Sequence, residues 1–182
     1  NNVIFTENLL DIKNKKTGDA IVTKTKKIGI GVLTADCVPI LLYDPQKKII
    51  GAIHSGWKGA FNGVIKNTIL KFKELNSNLD ETIAAIGPCL NKKNYEVDKD
   101  FYENFLEQNI KYKDFFEKSH SGKFIFDLRG LVNKQINDLG VKYIENIEMD
   151  TFSQKDLFYS YRRSLIKKEK DYGRCISVIL MT

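Results

Sequence analysis

The chain has 182 residues, 42% hydrophobic, 29% charged and 11% aromatic, the make-up of one globular domain that buries well over half the surface its unfolded chain exposes. Twelve glycines and three prolines are too few for a fibrous or disordered chain, and no apolar run approaches the ~20 residues that span a bilayer. The net charge is +6, but the lysines lie in short groups with acids between them (Lys13, Lys15, Lys16; Lys24, Lys26, Lys27; Lys167, Lys168, Lys170), a solvated surface rather than the single basic stripe that binds nucleic acid.

The chain opens on Asn1-Asn2-Val3-Ile4, without a methionine and without a basic leader ahead of a long apolar stretch. It reads as a fragment that carries no signal peptide and enters a strand-like run almost at once. Short β-branched runs at 28–33, 38–43 and 49–54 predict buried strands. Asp44-Pro45-Gln46-Lys47 places proline at the second position of a turn, so the second and third of these strands form a hairpin. After Gly59 the period changes: Phe61, Val64, Ile65, Thr68, Ile69 and Phe72 recur at three- and four-residue steps and predict one amphipathic helix to about residue 75. A strand at 83–86, a short run at 95–97 and a helix over 99–108 follow, then a polar loop through His120-Ser121-Gly122 and a strand at 124–126. Asp127 is an N-cap for a helix that runs to Leu139 and stops at Gly140. Strands at 143–148, 157–161 and 176–181 complete a mixed α/β pattern. No repeat or linker divides it, so 1–182 reads as a single domain.

Three cysteines, Cys37, Cys89 and Cys175, stand far apart with no paired spacing. No disulfide is expected, and a reducing cytoplasmic compartment is the default. The histidines are His54 and His120. Cys37, in Thr34-Ala35-Asp36-Cys37-Val38-Pro39, reads in isolation as a small buried hydrophobe. Yet a carboxylate interrupts the apolar run beside it, and the predicted hairpin carries His54 to the same rim. A thiol and an imidazole converging there suit either a nucleophilic pair or two ligands of a transition metal. His54-Ser55-Gly56-Trp57-Lys58-Gly59 reads as a strand-to-helix connection with a loop histidine, or as a binding loop whose glycines admit a ligand and whose tryptophan stacks on it. Lys58 is either a phosphate contact or a solvated lysine. Arg162 and Arg163, ending the predicted strand at 157–161, suit bidentate oxyanion recognition and equally an ordinary surface pair. Cys89 and Cys175 read as structural, and His120 as solvated. Dinucleotide-binding, P-loop and HExxH patterns are absent from the sequence.

Taken together, Gly18-Asp19-Ala20, Thr34-Ala35-Asp36-Cys37-Val38-Pro39, His54-Ser55-Gly56-Trp57-Lys58-Gly59, Ile86-Gly87-Pro88-Cys89, Tyr95-Glu96-Val97, Asp127-Leu128, Ser160-Tyr161-Arg162-Arg163 and Gly173-Arg174 resemble the YfiH/YlmD-type laccase-domain proteins, in family order. The Ala-Asp-Cys segment followed at this interval by His-Ser-Gly-Trp is the most specific part. Members of that family were first labelled multicopper polyphenol oxidases and are described as purine nucleoside phosphorylases with adenosine deaminase and methylthioadenosine phosphorylase activity. The resemblance implies an α+β fold, a layered α/β/β/α sandwich of mixed sheets shared with some cysteine hydrolases.

The resemblance also implies a metal site of two histidines and one cysteine. Cys37 and His54 match two of these ligands, and the remaining histidine belongs to a segment that would fall just upstream of Asn1. Three ligands and one open position describe a catalytic zinc, with copper as the alternative. Cys37 and His54 are then the catalytic and metal-binding pair, and Lys58, Arg162 and Arg163 the candidates for holding phosphate. The implied substrates are purine nucleosides (adenosine, inosine, methylthioadenosine) and phosphate, with no nucleic acid or membrane partner and an oligomeric state left open. Competing readings are a metal-free Cys37–His54 hydrolase or deamidase, a laccase-like polyphenol oxidase, for which two histidines are too few to build a multicopper cluster, and an inactive core. A fold, but not full activity, is expected of this stretch alone.

Overall fold

The computed structural model describes residues 2–7 and 17–182; Asn1 and the lysines Lys13, Lys15 and Lys16 lie outside the described residues. The strands are β1 (Val3–Thr6), β2 (Ala20–Thr23), β3 (Gly29–Thr34), β4 (Val38–Asp44), β5 (Ile49–Ser55), β6 (Ile83–Ile86), β7 (Glu96–Val97), β8 (Phe116–Lys118), β9 (Phe124–Phe126), β10 (Tyr143–Asn146) and β11 (Cys175–Leu180). The helices are α1 (Trp57–Phe61), α2 (Val64–Glu74), α3 (Lys99–Gln108), α4 (Leu128–Asp138) and α5 (Tyr161–Lys167). A six-stranded mixed sheet runs in the order β1-β2-β5-β4-β6-β10, a two-stranded sheet pairs β11 with β3, and a three-stranded sheet runs β7-β9-β8. The fold is therefore α+β, as expected, with one mixed sheet and two antiparallel ones among the described residues.

β4 and β5 form the predicted antiparallel hairpin. They read as continuous apolar runs because both faces of the central sheet are covered. Alternate side chains separate the two faces. Ile40, Leu42 and Ile53 pack with Val64, Ile65, Ile69 and Phe72 of α2 and with Leu131, Val132 and Ile136 of α4. Ile50 and Ala52 instead meet Ile28, Ile30 and Met181, with Leu41 and Tyr43 packed alongside, so the β3–β11 pair forms a second β layer. Its outer face leaves Leu33, Ile176, Val178 and Leu180 exposed. On the helical side, Phe101, Phe105, Phe116 and Phe126 pack with ring centroids 4.7 to 6.2 Å apart, which joins α3 to the three-stranded sheet. Among the described residues no helix is long and apolar enough to cross a membrane, and all three cysteines are free.

The structure departs from expectation in several elements. The helix predicted as one piece after Gly59 is two, because Gly63 adopts a left-handed conformation at φ 86° and breaks the hydrogen-bond ladder between α1 and α2. The strand predicted at 157–161 does not exist. The alternation of Leu157 and Tyr159 with Phe158 imitates a strand period, but among the described residues no strand pairs with it, and both Leu157 and Tyr159 are exposed. Ser160 instead N-caps α5, its hydroxyl accepting a hydrogen bond from the Arg163 amide at 3.1 Å, so the two arginines sit in the first turn of a helix. The strand β2 was not anticipated, since four residues between polar segments carry little periodicity.

The hairpin turn is fixed by Asp44, whose buried carboxylate accepts hydrogen bonds from the amides of Gln46 and Lys47, each at 2.8 Å, from the Asn78 amide at 3.2 Å and from the Ser77 hydroxyl. Burial raises its pKa, but these hydrogen bonds outweigh burial and hold it below the ordinary carboxylate value. A pKa lower in the folded state than in the unfolded one gives stability that is present at neutral pH and lost as pH falls through the folded value. Asp44→Asn is expected to lower stability by about 2 kcal/mol at pH 7. In urea titrations the gap between variant and parent should close as pH falls below about 4; a gap that stays constant with pH contradicts the assignment.

Candidate active site

The register of β4 against β5 pairs Pro39 with His54 and Val38 with Ser55, so Cys37, one residue before β4, falls beside Gly56, one residue after β5. The sequence-predicted convergence of thiol and imidazole thus follows from the hairpin. Gly56 carries no side chain between them: a Cβ built there would lie 2.8 Å from Cys37 Sγ and 4.0 Å from His54 Nε2. β2 pairs with β5 through Ala20 and Ile53, and this brings Asp19 alongside. Its carbonyl accepts the His54 amide at 2.8 Å, and its Oδ1 stands 3.7 Å from His54 Nδ1. A carboxylate at Nδ1 orients the ring and leaves Nε2 for a ligand, the arrangement common behind metal-bound histidines.

Cys37 sits among negative charge. Burial above all, with Asp36, Cys89 and Asp19 adding, pushes its pKa up to about 11. Only about one thiol in ten thousand is then ionised at pH 7. That disfavours an unassisted thiolate nucleophile and favours a cation, which compensates the carboxylates and stabilises the thiolate. The donor set, a thiol and an imidazole nitrogen, suits zinc or another borderline-soft metal. Among the described residues no group of three or more His, Cys, Asp and Glu is arranged to hold a metal ion.

Asp36, which the sequence offered only as a carboxylate beside the thiol, is the centre of a buried hydrogen-bond network. It occupies the left-handed region at φ 80°, which Asp tolerates better than most residues. Its buried carboxylate receives the Thr151 hydroxyl at 2.6 Å, the Ser160 hydroxyl at 3.0 Å and the Arg162 amide at 2.6 Å. The turn that carries Cys37 is thereby tied to the start of α5.

Two cavities meet at Cys37 and Trp57. The larger, about 590 Å³, is lined by Tyr95, Phe101, Tyr161 and Arg162 among others, and the smaller, about 450 Å³, by Asp19, His54, Lys58 and Asn62. Trp57 is held edge-on against Phe101, ring centroids 4.9 Å apart. Arg162 donates to the Glu96 carbonyl at 3.0 Å and lies over the Tyr95 ring at 5.5 Å. Lys58 stands 5.3 Å from the Trp57 ring centroid. Arg163 is placed differently: its guanidinium donates to the carbonyls of Thr151 (2.8 Å), Phe152 (2.7 Å) and Phe158, and it lines neither cavity. It holds the 151–158 loop, so a phosphate role for it is not carried forward. Cys89 is buried and receives Arg129 Nε at 3.2 Å, Cys175 begins β11, and His120 is exposed in a 3-10 turn.

The profile of the multi-copper polyphenol oxidoreductase laccase family matches residues 2–182. The chain belongs to this family. Among its laccase-family relatives, a Rickettsia conorii protein named purine nucleoside phosphorylase is 38% identical over 164 residues, 90% of this chain and 68% of that one. A Rickettsia prowazekii protein of the same name is 40% identical over 147 residues, 80% of this chain and 60% of that one. The chain therefore spans roughly two thirds or less of these relatives. A crystal structure from Neisseria meningitidis superposes with TM-score 0.84 at 29% identity, covering 98% of this chain and 74% of that one. The YfiH/YlmD-type resemblance read from the motifs is thus supported along the whole described laccase-family chain.

Proposed function

We propose that the full-length protein is a purine nucleoside phosphorylase with a metal-dependent adenosine deaminase activity, acting on adenosine, inosine and methylthioadenosine. The observation that carries this reading is the junction of two cavities at Cys37, one walled by aromatic rings and an arginine, the other by His54 and a lysine. The relatives' name, purine nucleoside phosphorylase, supports the phosphorylase part of it. Trp57, Phe101 and Tyr161 offer faces on which a flat base stacks, and Arg162 and Lys58 supply the positive charge that holds phosphate against the ribose. Arg162 is restrained by the Glu96 carbonyl, so little side-chain entropy is lost when an anion binds it.

In this reading Cys37 Sγ and His54 Nε2 hold a zinc ion, with Asp19 orienting the imidazole; the further ligand is the histidine that the resemblance places upstream of Asn1. When bound, zinc supplies Lewis acidity, the chemistry on which deamination of an adenine ring draws. The test uses full-length protein. Phosphate-dependent release of hypoxanthine from inosine and formation of inosine from adenosine are expected, with about one zinc per chain by elemental analysis. Cys37→Ala is expected to lose the metal and to lower deamination at least about 100-fold. Protein that carries no stoichiometric metal, and whose Cys37→Ala variant keeps both activities, would exclude the proposal.

A further inference from the structure

Tyr95 follows a 3-10 turn at Lys92–Asn94 and precedes β7. Its ring is wedged edge-on against Phe126, centroids 5.3 Å apart, and carries the Arg162 guanidinium over its face. The residue is only 8% exposed, yet it lines the 590 Å³ cavity together with Cys37 and Arg162. Among the described residues its hydroxyl has no hydrogen-bond partner, while its electrostatic neighbours are Cys37, Arg162, Asp36 and Cys89. It therefore lies on the inner wall of the cavity, beside the thiol. A tyrosine hydroxyl ordinarily loses its proton only at about pH 10, so at neutral pH it is a neutral donor. The fully enclosed unpartnered side-chain atoms among the described residues are Ser55 Oγ and Gln135 Oε1, so the Tyr95 hydroxyl, which also lacks a partner, is open to the cavity that its residue lines, where a bound acceptor can take its hydrogen bond.

We propose that Tyr95 is a catalytic residue whose hydroxyl, in the cavity that Arg162 also lines, donates a hydrogen bond to an oxygen of the attacking phosphate. The inference rests on the phosphorylase reading above and adds to it a donor that neither the motif nor the charge pattern singled out. A permanently charged guanidinium and a neutral donor in one cavity match a desolvated oxyanion better than they match an uncharged base. In the step itself a phosphate oxygen forms a bond to C1′ while the bond from C1′ to N9 breaks, and its electron pair leaves with the purine. The proton of hydrogen phosphate passes to the departing base, giving ribose 1-phosphate and free purine. Tyr95 keeps its own proton throughout.

The experiment is Tyr95→Phe in the full-length protein, with steady-state phosphorolysis of inosine at varied phosphate and varied inosine, calorimetric titration of inorganic phosphate, and thermal unfolding. The expected result is a KM and Kd for phosphate raised about 10- to 100-fold, as for loss of one hydrogen bond to a charged group, with the KM for inosine unchanged. Because the hydroxyl bonds to no other described residue, Tm is expected to stay level or rise. Phosphate constants within about twofold of the parent, an effect on the inosine KM alone, or a fall in Tm with all parameters lowered together each overturn the assignment. If the parent protein proves to have no phosphorolysis, the functional reading fails separately. Calorimetry then decides Tyr95 on its own: weaker phosphate binding by the variant supports it, and equal binding or none by the parent overturns it.

Discussion

Gly56→Ala is expected to lower kcat/KM about 100-fold while leaving the fold intact. The backbone at Gly56 has φ −74° and ψ 174°, an extended conformation open to any residue. Alanine therefore meets no backbone penalty, and the effect comes from its Cβ alone. That carbon would stand 2.8 Å from Cys37 Sγ, roughly 1 Å inside van der Waals contact. The sulfur must move, and it belongs to the turn held by Asp36. A displacement of about 1 Å at a reacting centre is worth about 100-fold in rate, whereas overpacking of this size costs about 1–3 kcal/mol of stability. Gly29→Ala is the control, since a Cβ there meets Val178 Cγ1 at an ordinary 3.5 Å. Activity and bound metal measured on both variants check the claim. Full activity in Gly56→Ala would mean that the space between Cys37 and His54 is not where the chemistry lies.

What the sequence revealed of this site follows from sequence distance. Cys37 and His54 are joined by a short hairpin with a strong turn signal, so their meeting was legible. Asp36 was not, because its carboxylate is completed by partners 115, 124 and 126 residues away, and no local period encodes such a contact. Tyr95 was likewise only part of a motif, because its proposed role depends on a cavity wall assembled from the turn before β4, α3 and α5. The arginine pair shows a third kind of limit. Successive residues on a helix point about 100° apart, so Arg162 faces the cavity while Arg163 turns to the carbonyls of its own loop. Reading the segment as a strand removed the information needed to separate them. The fold class was legible throughout, because the central strands are covered on both faces and announce themselves as unbroken apolar runs.

The same long-range network gives the second large effect. Asp36→Ala is expected to destabilise the protein by about 3–4 kcal/mol, because the donors of Thr151, Ser160 and Arg162 lose a charged acceptor in a buried setting and alanine at a positive φ adds about 1 kcal/mol of strain. Asp36→Asn separates these contributions. Asparagine tolerates the left-handed backbone and keeps one acceptor oxygen, which can serve Ser160 and the Arg162 amide, while its amide group faces Thr151 as a donor. Roughly half the loss is therefore expected. Thr151→Val removes one donor only, and combined with Asp36→Asn it should be less than additive, since the two residues share one hydrogen bond. Urea midpoints at constant m measure these differences. Function should follow stability in a specific direction. The start of α5 carries Arg162, so loosening its tie to Asp36 should raise the KM for phosphate more than that for nucleoside. If Asp36→Asn unfolds at the parent midpoint, or changes both KM values equally, Asp36 does not couple the Cys37 turn to the Arg162 end of α5.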